Sequence, residues 1–232
     1  RKRRPGRYVC VMPSRSSVSQ SYDRWAVVYD ADKNATRDLD AQVVRRAQLV
    51  LEGRDVLELG SGTEKNTAWL ATHAKTVVAL DFSLGMIARA HERIGAAGNV
   101  RFIQHDVCDP WPMENASVDL VVANHILEHV HDLEPVFFEA RRVLRPGGQL
   151  FFCELHPYRQ LEGGQAQFKD PKTGETVYVT AHVHSISEYV NGAIRAGFVV
   201  RELGEWLEDE APQGASPRLL SLLADVSALT PK

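Results

Sequence analysis

The stretch that decides the fold is VLELGSGT at residues 56–63, which is followed by a second apolar run, VVALD, at residues 77–81. The first run ends at two glycines, a helix-like segment follows, and the second run ends at an acid. Glycines at such a corner let the backbone approach a ligand that a Cβ atom would exclude. An acid at the tip of the second strand can accept hydrogen bonds from both hydroxyls of a ribose. The stretch therefore predicts a βαβ unit that binds an adenosine-containing molecule.

Two adenosine-containing cofactors are candidates for this unit. A nicotinamide dinucleotide needs a third glycine, G-x-G-x-x-G, so that a helix N-terminus can meet its pyrophosphate. In this chain Lys65 stands at that third position, with Glu64 beside it. A carboxylate there would repel the two phosphates. The loop therefore disfavours a nicotinamide oxidoreductase and favours a cofactor that has no phosphate.

The loop at residues 58–62 resembles the E/D-x-G-x-G loop of class I S-adenosylmethionine (SAM) methyltransferases. The chain is similar to the small-molecule, type 11-like family of these enzymes in four more segments: YDRWAVVYD at 22–30, RFIQHDV at 101–107, SVDLVVANH at 117–125 and LRPGGQL at 144–150. The first of these resembles the N-terminal lid, and the rest extend the resemblance over about residues 50–155.

The resemblance implies SAM as cofactor and S-adenosylhomocysteine (SAH) as product. It implies that Asp81 binds the ribose and that Asp106 and Val107 contact the adenine. Glu58 would contact the methionine amino group or would only keep the loop ordered. Two lid tyrosines would close over the sulfonium, because a positive sulfur is stabilised near an aromatic face, or would only pack the lid helix against the sheet. The residues expected to contact the cofactor are Tyr22, Tyr29, Glu58, Gly60, Ser61, Gly62, Asp81, Phe82, Asp106, Val107 and Asn124.

One position departs from the family pattern. The family usually has a further glycine (G-x-G-T-G) where this chain has Glu64. Glu64 either faces solvent at the start of a helix, where a carboxylate is favoured, or contacts the amino group of the cofactor. The two interpretations predict different effects of Glu64 on SAM binding.

The apolar pattern predicts an α/β fold. Runs such as 56–59, 77–80 and 120–123 are nearly continuous, which is typical of strands that helices bury on both faces. Because helical segments alternate with these runs, we expect a doubly wound, mostly parallel sheet with helices on both faces. The resemblance adds that the sheet has seven strands and an antiparallel last strand. The turn residues at 170–174 lie between two β-prone runs and predict a β-hairpin inserted after strand five.

The chain is expected to form one folded domain. Residues 1–20 would be a disordered basic leader, and residues 21–232 a single SAM-methyltransferase domain. Within that domain, residues 21–50 would form lid helices, and residues 156–184 a hairpin roof over the substrate pocket. The first 22 residues carry six of the 27 bases and no acid, which also fits an organelle transit segment or a nucleic-acid patch.

Composition narrows the partners and the compartment. With 44% hydrophobic and 25% charged residues, the chain has the make-up of a soluble globular protein. No run approaches the ~18–20 apolar residues that span a bilayer, and an acidic body is a poor match to a phosphate backbone. Three cysteines without a C-x-x-C pair suggest a reducing compartment. We therefore expect a cytoplasmic monomer or homodimer that acts on a small molecule, not on nucleic acid or a membrane, with organelle import as an open alternative.

Histidines are the candidates for catalysis, because a neutral imidazole is a natural general base near pH 7. We expect a base, or a group that orients the substrate, among His125, His156, His182 and His184. For each of them the alternative is a polar residue that is satisfied at a strand end. The candidates for substrate contacts are Tyr158, Arg159 and Arg37. Arg159 could pair with a carboxylate, whereas Arg37 could instead form a surface salt bridge.

The segment HILEH at residues 125–129 also fits the H-x-x-E-H pattern of a zinc peptidase. That pattern needs a long helix, so that two histidines four residues apart share one face. Here the segment follows a predicted buried parallel strand. We therefore expect no metal site.

These observations favour SAM-dependent methyl transfer to a nucleophilic nitrogen, oxygen or electron-rich carbon of a small molecule. The reaction is an in-line displacement, for which the protein must aim an electron pair, exclude water and in some cases remove a proton. The alternatives are an RNA or protein methyltransferase and a non-catalytic SAM-fold binding subunit.

Overall fold

The structure is a computed structural model, and it describes residues 15–31, 34–95 and 97–227. The helices in this part of the chain are α1 (Arg15–Trp25), α2 (Ala35–Arg46), α3 (Lys65–His73), α4 (Leu84–Ile94), α5 (Glu134–Val143), α6 (Pro157–Leu161) and α7 (Ile186–Arg195), with a 3₁₀ turn at Leu127–His129. The strands are β1 (Asp55–Leu59), β2 (Thr76–Asp81), β3 (Val100–Gln104), β4 (Val118–Asn124), β5 (Leu144–Leu155), β6 (Gln167–Lys169), β7 (Thr176–Tyr178), β8 (Phe198–Trp206) and β9 (Leu219–Val226).

The main sheet has seven strands in the order β3-β2-β1-β4-β5-β9-β8. Strands β1 to β5 pair in parallel, and β9 runs antiparallel to both β5 and β8. The predicted doubly wound sheet and its antiparallel last strand are therefore confirmed. The predicted hairpin is also present, because β6 and β7 pair antiparallel in a separate two-stranded sheet.

Alternate residues of the central strands enter two different cores. Leu57 and Val121 belong to one hydrophobic cluster, whereas Val56 and Leu120 belong to another. Each of the four side chains has no exposed surface. Helices cover both faces, so the period-2 alternation of a half-buried strand is absent and the apolar runs are continuous. This arrangement places the ends of β1, β2 and β4 at one edge of the sheet.

The N-terminal helix corrects one expectation. Helix α1 begins at Arg15, inside the range 1–20 that was expected to be disordered, and residues 1–14 lie outside the described residues. The side chains that order the helix come from distant parts of the chain. Trp25 stacks on Phe168 of the hairpin, with ring centroids 5.2 Å apart, and Val18 belongs to the same buried cluster as Met86 of α4.

Asp23 joins α1 to the rest of the fold. One oxygen of its carboxylate accepts hydrogen bonds from the Ser83 hydroxyl at 2.6 Å and from the Gly85 backbone N–H at 2.9 Å. A Cβ atom at Gly85 would lie 3.1 Å from the Asp23 Cα atom. The close approach of the two helices therefore depends on the absence of a side chain at Gly85, and it holds α1 over the carboxyl edge of the sheet.

Candidate cofactor and acceptor site

The glycine corner after β1 depends on backbone conformations that glycine adopts freely. Gly60 has φ +70° and Gly62 has φ +55°, in the region where a Cβ atom is disfavoured. The backbone N–H groups of Gly60 and Ser61 both donate to the carbonyl oxygen of Leu80, at 2.8 and 3.1 Å. A Cβ atom at Gly60 would also lie 3.0 Å from the Ile126 side chain. The corner thus keeps its backbone at the floor of the crevice.

Asp81 ends β2 beside this corner. Its carboxylate accepts hydrogen bonds from the backbone N–H groups of Gly62 at 2.8 Å and of Ser83 at 2.9 Å. Burial raises the pKa of Asp81 to about 6, although the backbone donors act in the opposite direction. Ser83 caps α4 by accepting from the Met86 N–H. Asp81 is therefore not needed as the helix cap, and its carboxylate lies in a cavity wall.

The first cavity lies over the glycine corner, and Glu58 and Asn124 form its floor together with Asp81. Glu58 is buried and accepts a hydrogen bond from the Thr67 hydroxyl at 2.6 Å. Burial raises the pKa of Glu58 to about 8, with smaller contributions from neighbouring carboxylates. The Asn124 amide nitrogen donates to Asp40 at 2.6 Å. The floor therefore combines carboxyl and amide groups that are held in place by other side chains.

Several buried polar atoms in the wall of the first cavity have no hydrogen-bond partner among the described residues. They are Ser61 Oγ, Asn66 Oδ1, Asn124 Oδ1 and His125 Nε2. Buried polar atoms in folded proteins are almost always paired, because an unpaired one costs about 1–3 kcal/mol. Their concentration in one cavity indicates a polar ligand. The set suits the amino group of a methionine moiety, since oxygen acceptors predominate.

The second cavity continues from the first along the edge of the sheet. The two share the walls formed by Gly60, Asp81 and Phe82, and the second adds Asp106 and Val107. The Asp106 side chain accepts from the Cys108 backbone N–H at 2.9 Å. Apart from two acids (Asp81 and Asp106) and two histidines (His105 and His129), this cavity is lined by apolar residues, which suits a flat heterocycle.

The third cavity opens on the other side of the first and has a volume of about 390 Å³. Tyr22, Tyr29, Arg37 and His125 line both cavities. Residues 164–167, which lead into the hairpin, form the opposite wall. Two lid tyrosines and a histidine therefore lie where a molecule in the third cavity would meet one in the first.

His125 has an unusual environment. It follows β4 with φ +52°, a conformation that costs about 1–3 kcal/mol for a residue other than glycine and that is found preferentially at functional sites. Its Nε2 atom lies 3.9 Å from Asp40 Oδ1. Asp40 is itself fixed by the side-chain amides of Asn66 and Asn124. His125 is thus the one of the four predicted histidines that the structure brings to these cavities.

His129 is a site residue that the sequence analysis did not select. Its Nδ1 atom lies 2.6 Å from the Thr180 carbonyl oxygen, and its Nε2 atom lies 2.7 Å from the Tyr22 hydroxyl. Because a carbonyl can only accept, Nδ1 carries the proton, and Nε2 accepts from Tyr22. His129 therefore ties the lid helix to the segment after the hairpin. The H-x-x-E-H pattern drew attention to His129, but a pattern does not reveal a partner 107 residues away.

The three other predicted histidines, His156, His182 and His184, do not line these three cavities. His156 caps α6: its Nδ1 accepts from the Tyr158 N–H, and its Nε2 lies 3.0 Å from Glu205. His184 is buried, with Nε2 2.7 Å from the Val130 carbonyl oxygen. The His182 ring packs edge-on against His131. In each case the ring has a structural partner. The position of a histidine at the end of a strand does not reveal that partner.

The predicted substrate residues divide in the same way. Arg37 and Arg159 line the third cavity, whereas Tyr158 is 53% exposed and lines none of the three. Arg218, which precedes β9, lines the third cavity and was not predicted. No local pattern marks Arg218, because it reaches the site only through the antiparallel pairing of β9 with β5.

Glu64 lies at the start of α3 with φ +95°, and its side chain caps no helix N–H. Its carboxylate is 3.3 Å from Arg93, and it does not line the first cavity. Burial raises the pKa of Glu64, while Arg93 opposes that effect. The positive φ explains why related sequences have glycine here, and the ion pair gives Glu64 a partner away from the cavities.

Glu64→Gly is therefore expected to raise the free energy of unfolding by about 1 kcal/mol, because glycine removes the backbone strain at positive φ. The half-exposed ion pair with Arg93 contributes less than about 1 kcal/mol. The measurement is urea unfolding, with Glu64→Ala as the matched control, since alanine loses the ion pair but keeps the strain. Equal stability of the two variants, or a marked gain in SAH affinity with glycine, would contradict this account.

The zinc-peptidase alternative lacks its structural basis, because His125 precedes the 3₁₀ turn at positive φ and the two histidines share no helix. Within the residues that the structure describes, no group of three or more His, Cys, Asp or Glu side chains could hold a metal ion. No helix in the same residues is long and apolar enough to span a membrane.

The fold and the site define a Rossmann-like protein with a series of connected cavities at the carboxyl edge of its parallel strands. Comparison with known proteins agrees, because residues 57–152 match the family model described as "Methyltransferase domain". The chain resembles the class I SAM-dependent methyltransferases of the type 11 family, and this resemblance supports an enzyme with SAM as cofactor.

Individual relatives extend this resemblance over more of the chain. The chain is 31% identical over 195 residues to malonyl-[acyl-carrier protein] O-methyltransferase of Methylovorus sp. (strain MP688), covering 79% of this chain but only 64% of that protein. It is 29% identical over 214 residues to demethylmenaquinone methyltransferase of Clavibacter sepedonicus, covering 91% and 85%. The solved DhpI–SAH complex is 26% identical, with a TM-score of 0.70 and coverage of 92% and 97%.

Proposed function

We propose that this chain transfers the methyl group of SAM to a nucleophilic nitrogen, oxygen or electron-rich carbon of a small molecule. The observation that carries the proposal is the series of three connected cavities along the carboxyl edge of the sheet, joined at Asp81 and at His125. The two relatives named above differ in their acceptors, so the proposal leaves the acceptor atom open.

On this proposal the first two cavities hold the cofactor. Asp81 accepts hydrogen bonds from the ribose hydroxyls, and Phe82, Asp106 and Val107 surround the adenine. The amino group of the methionine moiety interacts with the oxygen atoms of Ser61 and Asn124 that lack a partner, and with Glu58. A positive charge beside Glu58 would favour its ionised form and so lower its pKa from about 8.

The third cavity then holds the acceptor. SAM supplies a methyl group already activated on a sulfonium, so the protein mainly has to position the acceptor and exclude water. Tyr22 and Tyr29 lie at the junction of the two cavities, and we place them beside the sulfonium. Asp40, near Nε2 of His125, favours a proton on that nitrogen, which leaves Nδ1 to accept a proton from the acceptor.

We further propose that the described residues act as one domain, with the N-terminal helices as a lid and the hairpin as a roof. The hydrogen bond between Tyr22 and His129 and the stacking of Trp25 on Phe168 support this division, because each joins the lid to another wall of the site. The buried, reduced thiol of Cys153 is compatible with a cytoplasmic location, which we propose.

Calorimetry with SAM and SAH, followed by mass spectrometry of a cell extract incubated with the protein and methyl-labelled SAM, tests the proposal. We expect both ligands to bind and one low-mass compound to gain the label. If neither ligand binds at millimolar concentration, the proposed function is wrong. Label found only in RNA or protein would support the macromolecular alternative, and binding without any transfer would support the non-catalytic one.

A further inference from the structure

The wall of the third cavity is rich in hydrogen-bond donors and positive charge. Arg37, Arg159 and Arg218 all line it, whereas Glu128 is its one acidic side chain among the described residues. Glu128 is buried and accepts a hydrogen bond from the Gln160 amide at 3.2 Å. Three guanidinium groups around one carboxylate leave a net positive wall, which attracts anions.

Arg218 is held in a fixed position. Its Nη1 donates to the Thr36 hydroxyl at 2.9 Å, and its Nε lies 2.5 Å from Glu208. Arg159 lies 3.6 Å from Glu162. Neither Glu208 nor Glu162 lines the cavity, so the acids that accompany these two arginines are not part of its wall. Such preorganised guanidinium groups are suited to carboxylate and phosphate, which they can bind through two parallel hydrogen bonds.

Trp25 provides an independent observation on the same wall. Its side chain lines the third cavity and is 6% exposed, yet its indole N–H has no hydrogen-bond partner among the described residues. An indole nitrogen can only donate. A buried donor without a partner is costly, and a ligand with an oxygen acceptor in this cavity would satisfy it.

We infer that the acceptor molecule carries an anionic group, a carboxylate or a phosphate, which binds to Arg159 and Arg218 in the third cavity. This inference rests on the proposed function, since it names the substrate class of the same site. The anion anchors the acceptor at the arginine end, and the nucleophilic atom then extends toward His125 and the two lid tyrosines. Arg37, which lies at the junction, borders both ligands.

The test uses the full chain saturated with SAH and ligand-detected NMR titrations with three probes. Pentanoate represents the carboxylate source, butyl phosphate the phosphate source, and pentanamide the neutral analogue of pentanoate. We expect at least one anion to bind and pentanamide to bind at least about tenfold more weakly, as for a lost charged hydrogen bond. The preferred anion identifies which of the two sources the cavity takes.

Arg159→Gln and Arg218→Gln are each expected to weaken binding of that anion by about tenfold or more, with SAH affinity unchanged. Arg201→Gln is the matched control, because Arg201 lies on the edge strand β8, is 63% exposed and pairs with Asp225 of β9. If Arg218→Gln does not fold, Arg218→Lys replaces it. Lysine keeps the charge but lacks the planar fork that binds both oxygens of the anion, so this variant should still weaken anion binding measurably.

The inference is overturned if pentanamide binds as well as the preferred anion, if no anion binds, or if the variants at Arg159 and Arg218 retain full anion affinity. These outcomes leave the proposed function intact as long as SAH still binds. Loss of SAH binding in the unmodified protein would instead contradict the proposed function itself.

Discussion

Asp81→Asn is expected to weaken SAH binding by about 1–3 kcal/mol, or roughly 5- to 150-fold, the range for a lost charge-assisted hydrogen-bonding group. The carboxylate ends β2 in the wall shared by the first two cavities, and its two oxygens already accept from backbone N–H groups. An asparagine has only one oxygen, so it cannot accept from both backbone donors and also from a ribose. Calorimetry measures the loss.

The pH dependence of binding adds a second readout at Asp81. Its pKa in the free protein is raised from 3.8 to about 6 by burial. A ribose hydroxyl donates better to the ionised carboxylate, so SAH affinity should rise as the pH increases through about 6 and then level off. This rise should be absent in Asp81→Asn. Glu58, whose pKa is about 8, accounts for any further change at higher pH.

Asp81 makes the stability of the free protein fall as the pH rises, which is opposite to its effect on SAH affinity. Because its folded-state pKa is raised, the favourable contribution of Asp81 is complete below about 3.8 and is lost as the pH rises through about 6. The buried charge thus opposes folding at neutral pH and is useful only when a ligand binds it. Asp225→Asn is the control, because Asp225 pairs with Arg201 of the edge strand and lines none of the three cavities. Unchanged SAH affinity in Asp81→Asn would make Asp81 a structural residue.

His125→Asn is expected to lower kcat by about 100-fold or more, the usual contribution of a general base. Asparagine tolerates positive φ better than most residues, so this variant keeps the backbone at φ +52° and removes only the imidazole. SAH affinity should change little, because the loss concerns the transition state and not the bound cofactor. The measurement is single-turnover methyl transfer to the acceptor found by labelling.

His156→Ala is the matched control for His125. His156 is fully buried, but its two nitrogens bond to the start of α6 and to Glu205, away from the three cavities. Its loss should lower the free energy of unfolding and leave kcat nearly unchanged. Similar kcat values for His125→Asn and the unmodified protein would exclude His125 as the base.

Local sequence was sufficient to predict the parts of the fold that depend on residues close together in the chain. The apolar runs of β1, β2 and β4 predicted a parallel sheet because strands covered on both faces have no polar side to display. The corner at Gly60 and Gly62 and the acid at Asp81 were predicted because backbone geometry demands those residue types at fixed offsets. The turn residues at 170–174 likewise predicted the hairpin.

Only the tertiary structure decided which side chains meet in the crevice. His125 and His156 both follow strands in sequence, yet one lines two cavities and the other caps a helix. Helix α1 forms because Phe168 and Met86 pack against it, and Arg218 reaches the acceptor cavity from the segment before β9. Such contacts join residues far apart in the chain, and the direction of each side chain depends on packing that no short pattern encodes.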